Sequence, residues 1–385
     1  MIRPKPDRQP QTETGRLATR CRGLFYCVLP AVLGGLMILL SRLDPQKTEA
    51  VYSGWIFLWV RSVVGLPSVW LSSLSLAGIL MAFLLLFLFF LIVLFSVCLF
   101  LKKKKSRKLL LIGVHAALLI PSVILFLFAL TCAPNYNRLT FAEHAGLEVA
   151  PSTVEQLYRL SEELIATAAK AREDIEVDLL AMSGESKEDF QLIAAKAHEA
   201  FDRFGEDYPF VGKTFSPVKP MIFSEILSHL RLTGFYFCYL AEPNVNVHMP
   251  VIELPYTICH ELAHTCGFMR EDEANFMAYL AGRGSGDALM VYSSTLVALN
   301  NCMRALYNAD PTLCFELMTT YSEEMNADLF AMSDYWAKYV TPAATVSNAV
   351  NNAYLKANNQ SDGVQSYGRM VDLMLADYRK RHNIS

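Results

Sequence analysis

Three long apolar runs fill the first third of the chain and then stop. The first covers about 23–41 and carries no charge, the second covers about 77–101, and the third covers about 109–131 with Pro121 inside it. A bilayer core takes about 20 apolar residues as helix, so each run is long enough to cross. Pro121 is tolerated in such a helix because its neighbours can satisfy the carbonyl it frees. Between the first two runs, 51–75 mixes Trp55, Trp59 and Trp70 with Arg61 and Pro67. Tryptophan collects at membrane–water interfaces, so this stretch is expected to be interfacial or re-entrant, with a fourth span as the alternative.

From residue 133 the pattern changes to helical spacing. Leu157, Leu160, Leu164 and Ala168 share one face of a helix that Ser152 or Thr153 caps and that runs to about Glu173. Further helices are expected over about 186–204, 224–230, 287–306, 311–336, 342–357 and 366–381, and Pro209, Pro217 and Pro220 mark a loop. The aromatic stretch from Gly234 to Leu240 reads as a strand, Glu242-Pro243-Asn244 as a turn, and 245–248 as the returning strand of a hairpin. A helix from about Pro255 ends at Gly267, and another runs from about Glu271 to Ala281. The expected class is mostly α with a small β-hairpin or sheet, preceded by three transmembrane helices.

Charge fixes an orientation for those helices. The tail before the first run carries Arg3, Lys5, Arg8, Arg16, Arg20 and Arg22, and the loop before the third holds Lys102 to Lys105, Arg107 and Lys108. Basic loops stay in the cytoplasm, which places everything after Cys132 outside. The division expected is a cytoplasmic tail (1–22), a membrane domain (23–132) and an extracytoplasmic domain (133–385) in a multi-pass protein of the cell membrane. No small-residue cleavage site follows Ser41, so the first run reads as an uncleaved anchor. The net charge of -3 and the lack of a basic stripe with interleaved aromatics argue against a nucleic-acid partner. Nine cysteines occur with neither zinc-finger nor CxxC spacing; pairing of some and burial of all as free thiols are both open.

One motif carries chemistry. In His260-Glu261-Leu262-Ala263-His264 the two histidines are four apart, so a helix presents both imidazoles to one point. Zinc takes imidazole nitrogen readily, and a catalytic zinc needs three protein ligands and an open position. Glu261, beside the first ligand, is placed to act as general base toward zinc-activated water. The flanks Thr257, Ile258, Cys259, Leu262, Ala263, Thr265 and Cys266 are uncharged, as a buried helix requires. Gly267 lets the chain reverse and bring up a third ligand: Glu271 is the choice, Glu273 the runner-up, and Asn275 falls four residues after Glu271 as a supporting hydrogen-bond partner. Asn244 and Asn246 are candidates for binding substrate beside an edge strand, and Tyr367 for a hydrogen bond to the oxyanion.

At these residues the chain resembles the gluzincin metallopeptidases, especially the membrane CAAX-type proteases and the minigluzincins, in which a Glu-x-x-Ala-Asp/Asn helix supplies the third ligand. The resemblance implies a zincin-like domain with one zinc ion on His260, His264 and Glu271. The short interval from His264 to Glu271 looks more like a metzincin turn, but Arg270 stands where that family has its third histidine. Over nearly its full length the chain is also similar to a bacterial membrane-protein family described as a domain of unknown function. The shared stretches are Gly234 to Phe237, Glu242 to Asn246, His260 to Phe276 and Tyr354 to Gly368. The activity expected is hydrolysis of peptide bonds in a peptide or protein substrate by an enzyme anchored in the lipid bilayer. A non-catalytic zinc-binding or sensing domain is the alternative, and an intramembrane protease ranks last because the flanks of the motif are too polar for lipid.

Overall fold

The apolar runs of the first third become helices with little to bury against. The computed structural model describes residues 13–100, 106–175, 179, 182–360 and 369–384. Helices Glu13–Leu43, Leu76–Phe100 and Ser106–Thr131 each contain a stretch long and apolar enough to cross a membrane: Leu24–Leu43, Leu76–Val97 and Gly113–Thr131. The first and third pack side by side and in the same direction. Ala31 N donates to Ser122 Oγ at 2.8 Å, and one turn on Gly34 lies against the backbone of Phe126, where a Cβ would come within 2.9 Å of the Phe126 Cα. The second is apolar all round, and Phe83, Leu85, Leu86, Phe89 and Ile92 along it are exposed.

Three helix ends meet on one side, where the rest of the chain folds. Asn137 Nδ2 and Thr48 Oγ1 bond to Ser41, at the end of the first apolar stretch. Tyr52 Oη donates to the Leu130 carbonyl near the end of the third at 3.0 Å. Beneath the first turn of the second, the Glu242 carboxylate accepts from Ala77 N at 2.9 Å and Leu76 N at 3.3 Å, which satisfies amides a helix start leaves open. Ser75 Oγ donates to Asn244 Oδ1 at 2.6 Å, and buried Lys219 donates through Nζ to the carbonyls of Ser68 and Leu71.

The tryptophan-rich stretch forms no further span. It is a π-helix at Thr48–Ile56, then helices Phe57–Val64 and Leu66–Trp70. Val51, Trp55, Trp59 and Val63, four apart, are exposed along one side, while Tyr52 and Phe57 are buried on the other. Phe57 joins Cys132, Tyr136, Cys238 and Met269 in a small cluster, and sealing its ring from water contributes about 2–3 kcal/mol. Arg61 Nη1 donates to the Thr265 carbonyl at 2.7 Å, and the Arg138 guanidinium forks onto the Glu49 carboxylate at 2.6 and 2.8 Å. The folded domain therefore does not begin at residue 133; it incorporates 44–75 as well.

The main core lies between helices. Leu157, Leu160, Leu164 and Ala168 are buried as their spacing predicts, on a helix (Val154–Glu173) whose Thr153 makes a reciprocal capping box with Gln156. It packs along Ala288–Ala309. The helix predicted over 311–336 is two, Pro311–Met318 and Glu323–Ala337, because Ser322 caps a fresh start through Met325 N. The sheet has three strands, β1 (Lys219–Pro220), β2 (Gly234–Phe237) and β3 (Glu242–Val245), in the order β1-β3-β2. β2 runs antiparallel to β3 with Gly234 opposite Val245 and Phe237 opposite Glu242; β1 is parallel to β3. The expected turn Glu242-Pro243-Asn244 is therefore strand. The chain reverses one step earlier, through a 3-10 turn at Cys238–Leu240 and the left-handed Ala241 (φ 46°). Pro243 is tolerated in β3 because β1 pairs only with Asn244 and Val245, so its missing N–H faces no partner.

Candidate metal centre

The HExxH motif lies on helix Leu254–Thr265, which packs between helix Glu271–Arg283, helix Lys187–Asp207 and the sheet. Ile258, Cys259, Leu262 and Ala263 are wholly buried and fix the rotation of the helix. That rotation turns His260 and His264 toward a cleft of about 1170 Å³. The helix ends at Gly267, whose φ of 87° favours glycine and whose Cα side faces the Phe57 ring, Arg138 and Asn135. The reversed chain places the Phe268 carbonyl on His264 Nδ1, at 2.7 Å. With its proton committed there, His264 presents the Nε2 lone pair to the cleft.

Three donor atoms converge. His260 Nε2 is 3.1 Å from His264 Nε2 and 3.2 Å from Glu271 Oε2, and His264 Nε2 is 4.0 Å from the same oxygen. Zinc held at 2.0–2.1 Å in tetrahedral geometry sets its ligand atoms about 3.3 Å apart, so the set fits one ion. Two imidazole nitrogens at such a distance repel unless a cation or a proton lies between them. Burial and the neighbouring His260 push the His264 pKa down to about 4. Burial acts the same way on His260, but the bond and charge of Glu271 outweigh it and its pKa is raised.

The sequence's first choice among the acids is the one that meets the histidines. Glu271 opens the next helix and faces back to the motif. Glu273 is buried and turned away, its Oε1 accepting from Arg270 Nη1 at 2.8 Å and Phe141 N at 3.1 Å. Arg270, in the metzincin histidine position, also donates to the carbonyls of Tyr136 and Arg138. Asn275 lies against His260 as expected, and its Oδ1 accepts from Tyr256 Oη at 2.9 Å.

Glu261 is buried beside the donors. Its Oε2 has no hydrogen-bond partner, and a Cβ on Gly234 would come within 2.6 Å of its Oε1. Burial pushes its pKa up to about 8, with His260 opposing and the Glu271 charge adding. The strand against it is β2, an edge strand of the sheet, and Gly234, Phe235 and Tyr236 line the cleft.

Asn244 and Asn246 do not reach this cleft. Both are fully buried: Asn244 ties β3 to Ser75, and Asn246 Nδ2 donates to Ser228 Oγ and the Leu232 carbonyl. Their place as edge-strand residues falls to β2. Tyr367 lies outside the described residues. Sequence reasoning missed Tyr136 and Tyr354, whose hydroxyls are 2.9 Å apart and which both line the cleft. Separated by 218 positions, they share no local signal, although Tyr354 opens the last of the four shared stretches. The cysteines Cys27, Cys132, Cys238, Cys259, Cys266, Cys302 and Cys314 are free and buried.

Over residues 52–375 the chain matches the family described as "Protein of unknown function (DUF3810)". The chain belongs to this family. The matched stretch begins at Tyr52, inside the interfacial segment, so the family unit takes in the piece that packs beneath the histidine helix as well as the helices that carry the donors. No curated protein and no solved structure matches the chain.

Proposed function

We propose that this protein is a membrane-anchored, zinc-dependent peptidase with a zincin-like domain outside the membrane. The observation that carries the reading is the meeting of His260, His264 and Glu271 at one point, with Glu261 buried beside it and an open cleft in front. Zinc bound there would supply Lewis acidity toward a peptide carbonyl and toward water. Glu261 would take a proton at its free carboxylate and return it to the leaving amine. The Phe268 carbonyl holds the His264 ring in the ligating orientation, and Asn275 lies beside His260. The outer strand β2 offers backbone groups to an extended peptide, and Tyr136 and Tyr354 are the hydroxyl donors available to the developing oxyanion.

A structural zinc site would close its coordination with four protein ligands and have no use for a buried carboxylate at the open side, which favours catalysis over a sensing module. The basic tail and the loop 102–108 favour an extracytoplasmic domain, with the helix ends described above on that side. The test is metal analysis of the full-length protein together with cleavage of a peptide library. About one zinc per chain, lost in His264→Ala and kept in Glu261→Gln, with cleavage lost in both, is expected. Zinc in the wild type without cleavage would leave the sensing module.

A further inference from the structure

The cleft meets the membrane side of the molecule at two places. Cys132 and Tyr136, which line it together with His260, Glu261 and His264, come directly after Thr131, the last residue of the third apolar stretch. On the opposite wall stands helix Pro342–Ala357. Its Tyr354 hydroxyl bonds that of Tyr136, and its Ala357 carbonyl accepts from Arg42 Nη2 at 3.0 Å, at the end of the first apolar stretch. The cleft is thus lined by residues that adjoin the ends of two apolar stretches.

The same wall is apolar. Val346 and Val350 line the cleft and are 63% and 64% exposed; with Tyr354 they sit four apart on one helix face. In the stretch that follows the first apolar run, the exposed row of Val51, Trp55, Trp59 and Val63 suits a headgroup boundary. Exposed valines lining a cleft whose other residues adjoin two apolar stretches mark a binding surface for an apolar segment.

We infer that the substrate is a polypeptide anchored in the same membrane, cut in the stretch just outside the bilayer, with its apolar side chains against Val346 and Val350. This rests on the peptidase reading. Anchoring raises the local concentration of the segment at a cleft so placed, whereas a freely diffusing peptide gains nothing from the position.

The test uses the full-length protein, zinc-loaded, in phosphatidylethanolamine–phosphatidylglycerol vesicles. A mixed-sequence peptide library rich in Leu, Val and Phe is presented in three forms. One is free, one is joined to a transmembrane helix through about 5 residues, reaching roughly 17 Å extended, and one through about 40 Gly/Ser residues, averaging roughly 35 Å. The short-spacer form is expected to be cut at least about tenfold faster than the other two, at bonds close to the anchor. Val346→Asp with Val350→Asp is expected to abolish the preference for apolar members while leaving the zinc content unchanged. Equal rates for short and long spacers, or a preference indifferent to the two valines, would overturn the inference and leave the peptidase reading standing. No cleavage of any form by zinc-loaded protein would overturn that reading, and this inference with it.

Discussion

Gly234→Ala tests the role of Glu261 without touching it. The added Cβ would lie 2.6 Å from Glu261 Oε1, 2.9 Å from the Asn244 carbonyl oxygen and 3.0 Å from Glu261 Cδ. An ordinary carbon–oxygen contact is about 3.3 Å, so one partner must retreat by roughly 0.7 Å. The Asn244 oxygen belongs to the backbone of the neighbouring strand and is held by the sheet. The carboxylate, at the end of a side chain with one oxygen unpartnered, takes most of the displacement, and the 2.9 Å contact with the Asn244 oxygen parts the two strands by a few tenths of an ångström. Misplacing a catalytic group by about 1 Å costs up to about 100-fold, so kcat/KM should fall by roughly 10- to 100-fold. The overpacking should lower stability by about 1–3 kcal/mol. The assay pairs cleavage of the peptides that the wild type cuts with zinc content by elemental analysis and with thermal unfolding. Full zinc occupancy with the fold retained and the rate reduced is the expected pattern. Undiminished kcat/KM would refute the placement of Glu261 as the base, and zinc lost in step with activity would show that Gly234 serves the scaffold instead.

Three further outcomes follow from the same contacts. Glu271→Ala should weaken zinc binding by more than about 100-fold, whereas Glu273→Ala should keep zinc and lose stability by about 3–5 kcal/mol by stranding Arg270; competition with a chelator and chemical denaturation separate the two. Glu49→Ala removes the partner of Arg138, whose side chain is 4% exposed, and should cost about 3–5 kcal/mol in detergent unfolding; a change below about 1 kcal/mol would show the pair to be dispensable. Burial pushes the Glu253 pKa from 4.5 up to about 7, against the bond its Oε2 accepts from Trp336 Nε1. The folded state then holds this proton more tightly than the unfolded chain, so wild-type stability falls as pH rises from about 4.5 to about 7. Glu253→Gln should raise the melting temperature at pH 8, by up to about 2–3 kcal/mol of stability, and leave it unchanged at pH 4; an equal effect at both would exclude this titration.

What the sequence made legible is what depends on period and on local caps. The spacing of His260 and His264 specified their common face, and the helices expected from Ser152 or Thr153 and from about 186 start where Thr153 and Ser186 cap them. Glu271 rather than Glu273 lies against the histidines for a reason that spacing alone does not contain: the neighbouring Arg270 and the amide of Phe141 claim Glu273. Asn244 and Asn246 stay out of the cleft because their polar side chains answer partners at Ser75, 169 residues away, and Ser228, 18 residues away. The boundary at 133 failed for the same reason. The stretch 51–75 reads as interfacial or re-entrant from its tryptophans, and one side of it is exposed; its other side, with Tyr52 and Phe57, packs into the folded domain. Pairings across long loops leave no trace in periodicity.

The second apolar helix stands on the sheet by its first turn, at the Glu242 carboxylate, with Lys219 gripping the residues just before it. A rod fastened at one end is a lever. Any tilt of that rod would load β3, and β3 is paired to the strand whose Gly234 abuts Glu261, the carboxylate we propose as the base.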